Sequence, residues 1–266
     1  MHFIGIDIGT SSICGVVYHP STQSVISVTK ENCANISSPD NWEKKQDADI
    51  IINIVWDIVR EFQTRYKDIG GIGITGQMHG IVYTDVQGNA VSPLYTWQDG
   101  RGNLRYKDNL NYATHLKNIT GYPAASGYGL VTHYYNIQNG LVPADAFKLC
   151  TIMDYAVMKL SGNNTPLIDP SNAASLGIFD KEKLIFDTEA IQKAGIEPTI
   201  LPEIMPSASI AGYFEKIPVY AAIGDNQASF LGSVRDKDHS IHITVGTSSQ
   251  ISIYTCLLYT SDAADE

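Results

Sequence analysis

Cysteine is scarce and unpatterned in this chain. Cys14, Cys33, Cys150 and Cys256 include no CxxC pair, so neither a zinc site nor a disulfide framework is indicated. Cations are few as well. The eighteen Lys and Arg residues form no run, and the formal net charge is −10. Neutralising a nucleic-acid backbone or an anionic membrane takes clustered cations, so both partner classes are disfavoured. A polyphosphate nucleotide stays compatible, because Mg²⁺ and backbone N–H groups can carry its charge locally. Long apolar stretches are missing too, and none approaches the ~20 residues of a membrane-spanning helix. The opening Met1-His2-Phe3-Ile4-Gly5-Ile6-Asp7 runs directly into strand-like sequence, without the basic and apolar regions of a signal peptide. A reduced cytoplasmic setting is the expectation.

What is present is an ordinary α/β composition. The 266 residues are 44% hydrophobic and 17% charged, enough for one large domain or two modest ones with a substantial core. Phe3 to Ile8, Ile13 to Tyr18 and Ser24 to Thr29 read as strands. Ile51, Val55, Ile58 and Phe62 recur at helical spacing after Asp47 and Asp49, either of which can cap a helix running to about Tyr66. Ile69 to Thr75 reads as a buried strand, Ala144 to Leu160 as a helix stopped by Gly162, and residues 163 to 217 as short elements only. Val219 to Ile223 and Ser240 to Val245 are further strands. The order predicts a mixed sheet with helical cover.

One unit recurs. Ile6-Asp7-Ile8-Gly9-Thr10-Ser11-Ser12 aligns with Ile243-Thr244-Val245-Gly246-Thr247-Ser248-Ser249, strand, turn and flanking strand alike, which points to two similar domains rather than a short-period array. Glycine in such a turn lets the backbone approach an anion, and turn N–H groups and hydroxyls can point at phosphate. Asp7 beside the first turn is either a Mg²⁺ carboxylate or a turn-stabilising residue. Asp225 follows a strand and precedes Asn226-Gln227-Ala228. It is either a helix N-cap or a group that accepts a hydroxyl proton at a strand's C-terminal end. Gln77-Met78-His79-Gly80 offers an amide and an imidazole, and Thr96-Trp97-Gln98-Asp99-Gly100-Arg101 combines an aromatic face, a carboxylate and a guanidinium. That mixture suits sugars. A core histidine and a surface Asp–Arg pair are the plainer alternatives.

In this order, these segments together with Met153-Asp154-Tyr155 and Asp169-Pro170-Ser171-Asn172-Ala173-Ala174-Ser175 resemble the FGGY carbohydrate kinases over residues 2 to 254. The resemblance implies the actin-like, ribonuclease-H-like duplicated α/β fold, with ATP and sugar in the cleft between domains. It implies a sugar-binding N-terminal domain over 1–236 and the start of a nucleotide-binding domain over 237–255. It makes Asp225 the catalytic base, and it puts Gln77, Met78, His79, Trp97, Asp99, Arg101 and Asn226 on the sugar side. Asp7 (also the Mg²⁺ ligand), Gly9, Thr10, Ser11 and Ser12 fall on the Mg-ATP phosphate side, and Gly246, Thr247 and Ser248 form the second phosphate loop. Within the family, Thr96–Arg101 and Asn172–Ser175 are most similar to the sedoheptulokinases, while the Gln77–Gly80 loop is shared with xylulokinases. The implied reaction moves the γ-phosphoryl of ATP to the terminal primary hydroxyl of a ketose.

Residues 256–266 depart from the family and read as translated sequencing adapter, or otherwise as a short acidic tail. With the rest of the second domain missing, the chain as written is expected to show little or no kinase activity. Two readings compete with a sugar kinase: a non-catalytic sugar-binding or regulatory protein on the same scaffold, and an actin-like ATPase.

Overall fold

A computed structural model describes residues 1–236, 239–245 and 249–254. Its centre is a six-stranded mixed sheet built from β1 (His2–Ile8), β2 (Ser12–His19), β3 (Ser24–Glu31), β4 (Ile69–Gly76), β5 (Ile210–Phe214) and β6 (Ile217–Tyr220), in the order β5-β6-β4-β1-β2-β3. The β1-β2-β3 meander is antiparallel, whereas β1 and β6 both run parallel to β4.

Alternation decides which side of the sheet is covered. Ile4, Ile6 and Ile8 of β1 stand opposite Val17, Gly15 and Ile13 of β2, so all project to one face. That face is covered by α1 (Ala48–Arg65) and by α4 (Ile152–Ser161), the fourth helix in chain order. Asp47 caps α1 by accepting from the Asp49 and Ile50 N–H groups. The helix buries Ile51, Val55, Ile58, Val59 and Phe62, each worth ~1.5–3 kcal/mol on removal from water. Gly15 lets α1 approach: a methyl there would lie 2.3 Å from Ile58 Cγ2. The opposite face, carrying Phe3, Gly5, Val16 and Gly73, opens into a recess of about 700 Å³ that also reaches Asp7, Thr75 and Ile223.

A second core lies beside the first. It gathers Ile81, Tyr83, Leu116, Leu130, Val131, Leu149, Ile168, Leu176 and Ile191 around α2 (Tyr112–Thr120), α3 (Gly129–Gln138), α5 (Pro170–Leu176) and α6 (Thr188–Lys193). The chain crosses between cores at Met78 and Ile81, which belong to the first and second respectively. After the sheet come α7 (Asp225–Ser233) and the antiparallel pair β7 (Ile241–Val245) and β8 (Ser249–Ile253). Among the described residues, no helix is long and apolar enough to cross a membrane.

The long helix expected from Ala144 forms only from Ile152. Lys148–Cys150 is instead a strand paired with Val82–Thr84, and Thr151 starts the helix in a reciprocal capping box with Asp154. The strand expected to reach Ile223 stops at Tyr220. Residues 221–224 are irregular, for reasons that concern the site.

Candidate functional site

Because β1, β4 and β6 are mutually parallel, their C-terminal ends share one edge of the sheet, the usual place for a ligand crevice in such sheets. Three segments leave that edge: the Gly9–Ser12 turn, the Gln77–Gly80 loop, and residues 221–225. The turn closes with the Gly9 N–H donating to the Ser12 carbonyl at 2.9 Å. A Cβ on Gly9 would fall 2.8 Å from that same oxygen, so only glycine fits. Thr10 is a brace. Its hydroxyl donates to Gln77 Oε1 (3.3 Å) and accepts from the Trp97 indole N–H (3.0 Å), while its carbonyl accepts from Gln46 Nε2 (2.9 Å). Ser11 and Ser12 remain exposed.

Asp225 is the first residue of α7. Gly224 occupies the N-cap position, so the capping alternative for Asp225 is not realised. Its carboxylate accepts from the Asn226 N–H at 2.7 Å. Burial raises its pKa above the usual carboxylate value and the negative charge of Asp7 adds to this, against the lowering effects of the Asn226 N–H and of His79. Asp7 is likewise raised by desolvation. Among the described residues, no hydrogen bond or ion pair engages its carboxylate.

His79 sits between these carboxylates and the second core. Its backbone adopts φ +73°, a conformation that costs on the order of 1 kcal/mol or more in a non-glycine residue. Ser175 holds it there, accepting from the His79 N–H on Oγ (3.2 Å) and from Nδ1–H on its carbonyl (2.8 Å). Nε2 is left as the acceptor of a neutral ring. Burial lowers the imidazole pKa, outweighing Ser175 and Asp225, and the ring stacks on Tyr128 at 4.7 Å with planes 7° apart.

Other expected sugar-side groups lie below the surface. Gln77 is buried, donating from Nε2 to Gln46 Oε1 at 2.8 Å. Met78 is buried with its sulfur against Asn226 Nδ2 at 3.9 Å. Asp99 and Arg101 are each 1% exposed; far from being a surface pair, they form an internal knot. Arg101 Nε donates to Asp99 Oδ1 at 2.6 Å and its NH1 donates to Asn136, with Glu43 at 3.7 Å. The guanidinium lies 4.1 Å from the Tyr95 ring centre. Asp99 also accepts from the Lys44 N–H at 3.0 Å. The knot holds the loop on which Trp97, 46% exposed, is presented at the edge.

Tyr128, Ser175, Gln46, Glu43 and Asn136 were not singled out as site residues by the sequence reading. Of these, Tyr128 is set between Gly127 and Gly129, and Ser175 closes the Asp169–Ser175 motif. The rest act through contacts far apart in the chain.

Asp154 lies fully buried behind the site. Burial pushes its carboxyl up to about 7, even though Thr151 and Asn172 donate to it. A raised folded-state value means the folded chain holds a proton that the unfolded chain releases. The stabilisation is full below the unfolded value of about 4 and is lost as pH rises through about 7. His79 and His133, both lowered by burial, act in the opposite sense, so the effect is read as a difference. Asp154→Asn is expected to gain stability relative to the parent between pH ~5 and pH ~8. Urea midpoints of both proteins at the two pH values measure it, and a difference independent of pH would refute it.

Gly246, Thr247 and Ser248 lie outside the described residues. No cluster of three or more His, Cys, Asp or Glu with metal-site geometry occurs among the described ones. Asp7 nevertheless fits a Mg²⁺ that keeps most of its waters and takes phosphate oxygens, since such a site needs only one or two carboxylates. The like charges of Asp7 and Asp225 disfavour each other, and a cation would relieve that.

Residues 2–232 match the FGGY family of carbohydrate kinases, N-terminal domain. The chain belongs to the FGGY family of carbohydrate kinases. The sedoheptulokinase of Mus musculus is 30% identical over 93% of this chain and 58% of its own length. The xylulose kinase of Staphylococcus xylosus is 28% identical over 93% and 54% respectively. Among solved structures, Plasmodium falciparum glycerol kinase with ADP superposes with a TM-score of 0.79 at 20% identity, covering 94% of this chain and 53% of that one. The chain thus spans a little over half the length of the relatives it matches, and its fold is the actin-like α/β fold of FGGY kinases.

Proposed function

We propose that this chain is the sugar-binding part of an ATP-dependent ketose kinase, with residues 237–255 beginning the nucleotide-binding domain. The observation that carries the reading is the shared edge where parallel β1, β4 and β6 deliver Asp7, His79 and Asp225 together. Asp225, raised by burial and without an ion pair among the described residues, accepts the proton of the sugar's primary hydroxyl. His79, a neutral ring whose Nε2 has no partner among the described residues, accepts from a second sugar hydroxyl and so orients the sugar. The exposed Trp97 face packs on sugar C–H groups, and Asn226 adds a hydrogen-bonding amide beside Asp225.

The Gly9–Ser12 turn offers N–H groups and the Ser11 and Ser12 hydroxyls to phosphate. A Mg²⁺ held at Asp7 would neutralise phosphate charge. Asp99, Arg101, Gln77 and Met78 contribute from below by fixing the surfaces that touch sugar. The preferred ketose is sedoheptulose, giving the 7-phosphate, with xylulose second. This ranking rests on the Thr96–Arg101 and Asn172–Ser175 segments and on the slightly higher identity to a sedoheptulokinase. Coupled ADP release across a ketose panel, with the protein extended to the length of its relatives, tests it. Turnover is expected to be fastest with sedoheptulose. ATP-independent sugar binding with no ADP release on any ketose would overturn the kinase reading.

A further inference from the structure

The Asp169–Ser175 segment enters the reading above only in ranking the sugars, yet its side chains grip His79 and the backbone that leads into Asp225. Residues 221–224 carry Asp225 out from the sheet without regular structure, and consecutive residues there are gripped one by one. The Ala222 carbonyl accepts from Asn172 Nδ2 at 3.2 Å. The Ile223 carbonyl accepts from the Thr75 hydroxyl at 2.8 Å, and the Ile223 N–H donates to the Ile74 carbonyl at 3.1 Å. The Gly224 N–H donates to Ser171 Oγ at 3.1 Å.

Ser171 has its hydroxyl direction settled from behind. Its proton goes to Asp169 Oδ1, and the other Asp169 oxygen accepts from Ser207. A lone pair is thereby left for Gly224. One helical turn further on, Ser175 grips His79 by two bonds and holds it at its positive φ. Asn172 is the telling member. It is completely buried, its Oδ1 has no partner among the described residues, and its Nδ2 reaches Asp154 Oδ1 only at 3.5 Å. A buried amide with an unpaired acceptor is a poor device for stability alone.

We propose that Ser171, Asn172 and Ser175 are positioning residues: α5 is a spacer that sets the distance and angle between the Asp225 carboxylate and the His79 imidazole. The inference rests on the proposed kinase reading for what those two groups do, and on the geometry alone for how they are held. Displacing a reacting group by about 1 Å costs on the order of 10²-fold in rate.

The test uses the protein extended to the length of its relatives, with Asn172→Leu, Ser171→Ala and the conservative Ser171→Thr. Asn172→Leu keeps the branched shape and removes both the unpaired acceptor and the amide donor to the Ala222 carbonyl, two opposed effects on stability. The variant is therefore expected to stay folded with a thermal midpoint near the parent's. Its kcat is nevertheless expected to fall about 10²-fold, with KM for the sugar little changed. Ser171→Ala is expected to fall similarly and Ser171→Thr to recover most of the rate. Independently of turnover, the ¹³C titration of the Asp225 carboxyl is expected to move toward the ordinary carboxylate range in Asn172→Leu and Ser171→Ala, and to stay put in Ser171→Thr. Folded variants with parental kcat and an unmoved Asp225 titration overturn the proposal. If the parent itself phosphorylates no ketose, the kinase reading fails, and the carboxyl titration alone still decides the positioning claim.

Discussion

Asp225→Asn, in the protein extended to the length of its relatives, is expected to lower kcat by about 10²- to 10⁴-fold, the range for loss of a general base, while sugar affinity stays near the parent's. Asparagine keeps the shape and the bond from the Asn226 N–H but cannot take a proton. The pH profile supplies the sign. Burial and Asp7 raise the Asp225 pKa, and the base works only when deprotonated. The parental rate should therefore rise with pH through a value above the ordinary carboxylate range and then level off. In Asp225→Asn that acid limb disappears from the residual rate. Steady-state kinetics across acid to neutral pH, paired with calorimetric sugar titration, checks both parts. Near-parental kcat in the variant removes Asp225 as the base.

The second large effect is on folding. Arg101→Ala is expected to cost about 3–5 kcal/mol, because it leaves the fully buried Asp99 carboxylate without its partner. Arg101→Lys should recover little. An ammonium cannot bond both Asp99 oxygens, reach Asn136 and lie flat against Tyr95 at once. The double variant Arg101→Met with Asp99→Leu removes both charges and should recover much of the loss. Urea unfolding of the three variants measures this. If Arg101→Ala unfolds at the parental midpoint, the knot carries no stability. Because the knot holds the Trp97 loop, sugar affinity should fall with it in the variants that remain folded.

The element most legible in the sequence was the one governed by local pattern. The 3.6-residue spacing of Ile51, Val55, Ile58 and Phe62 behind Asp47 became α1, capped by that residue. The apolar run from Phe3 to Ile8 became β1, a half-covered strand. Legibility failed where a distant partner intervened. Residues 144–160 look helical, yet Lys148–Cys150 was drawn into pairing with Val82–Thr84. The candidate site divides in the same way. Its chemical groups stand out as motifs, but a motif does not say which of its members reach the surface. Asp99 and Arg101 look like a surface pair and are instead an internal one.

By itself the sequence determined the kind of chemistry available: few cations, no metal-type cysteine pattern, a repeated Gly-Thr-Ser-Ser unit, and acids placed after apolar runs. It also determined the family, through ordered motifs over nearly the whole chain. Only the tertiary structure decided which groups meet. Parallel pairing of β1, β4 and β6 brings Asp7, Gln77–His79 and Asp225 to one edge although Asp7 and Asp225 are more than two hundred residues apart. The seam between two cores then lets α5 grip both Asp225's segment and His79. The physical reason is range. Composition and periodicity report forces acting within a turn or two of chain, whereas a site is made by hydrogen bonds and burial between segments that only folding brings together.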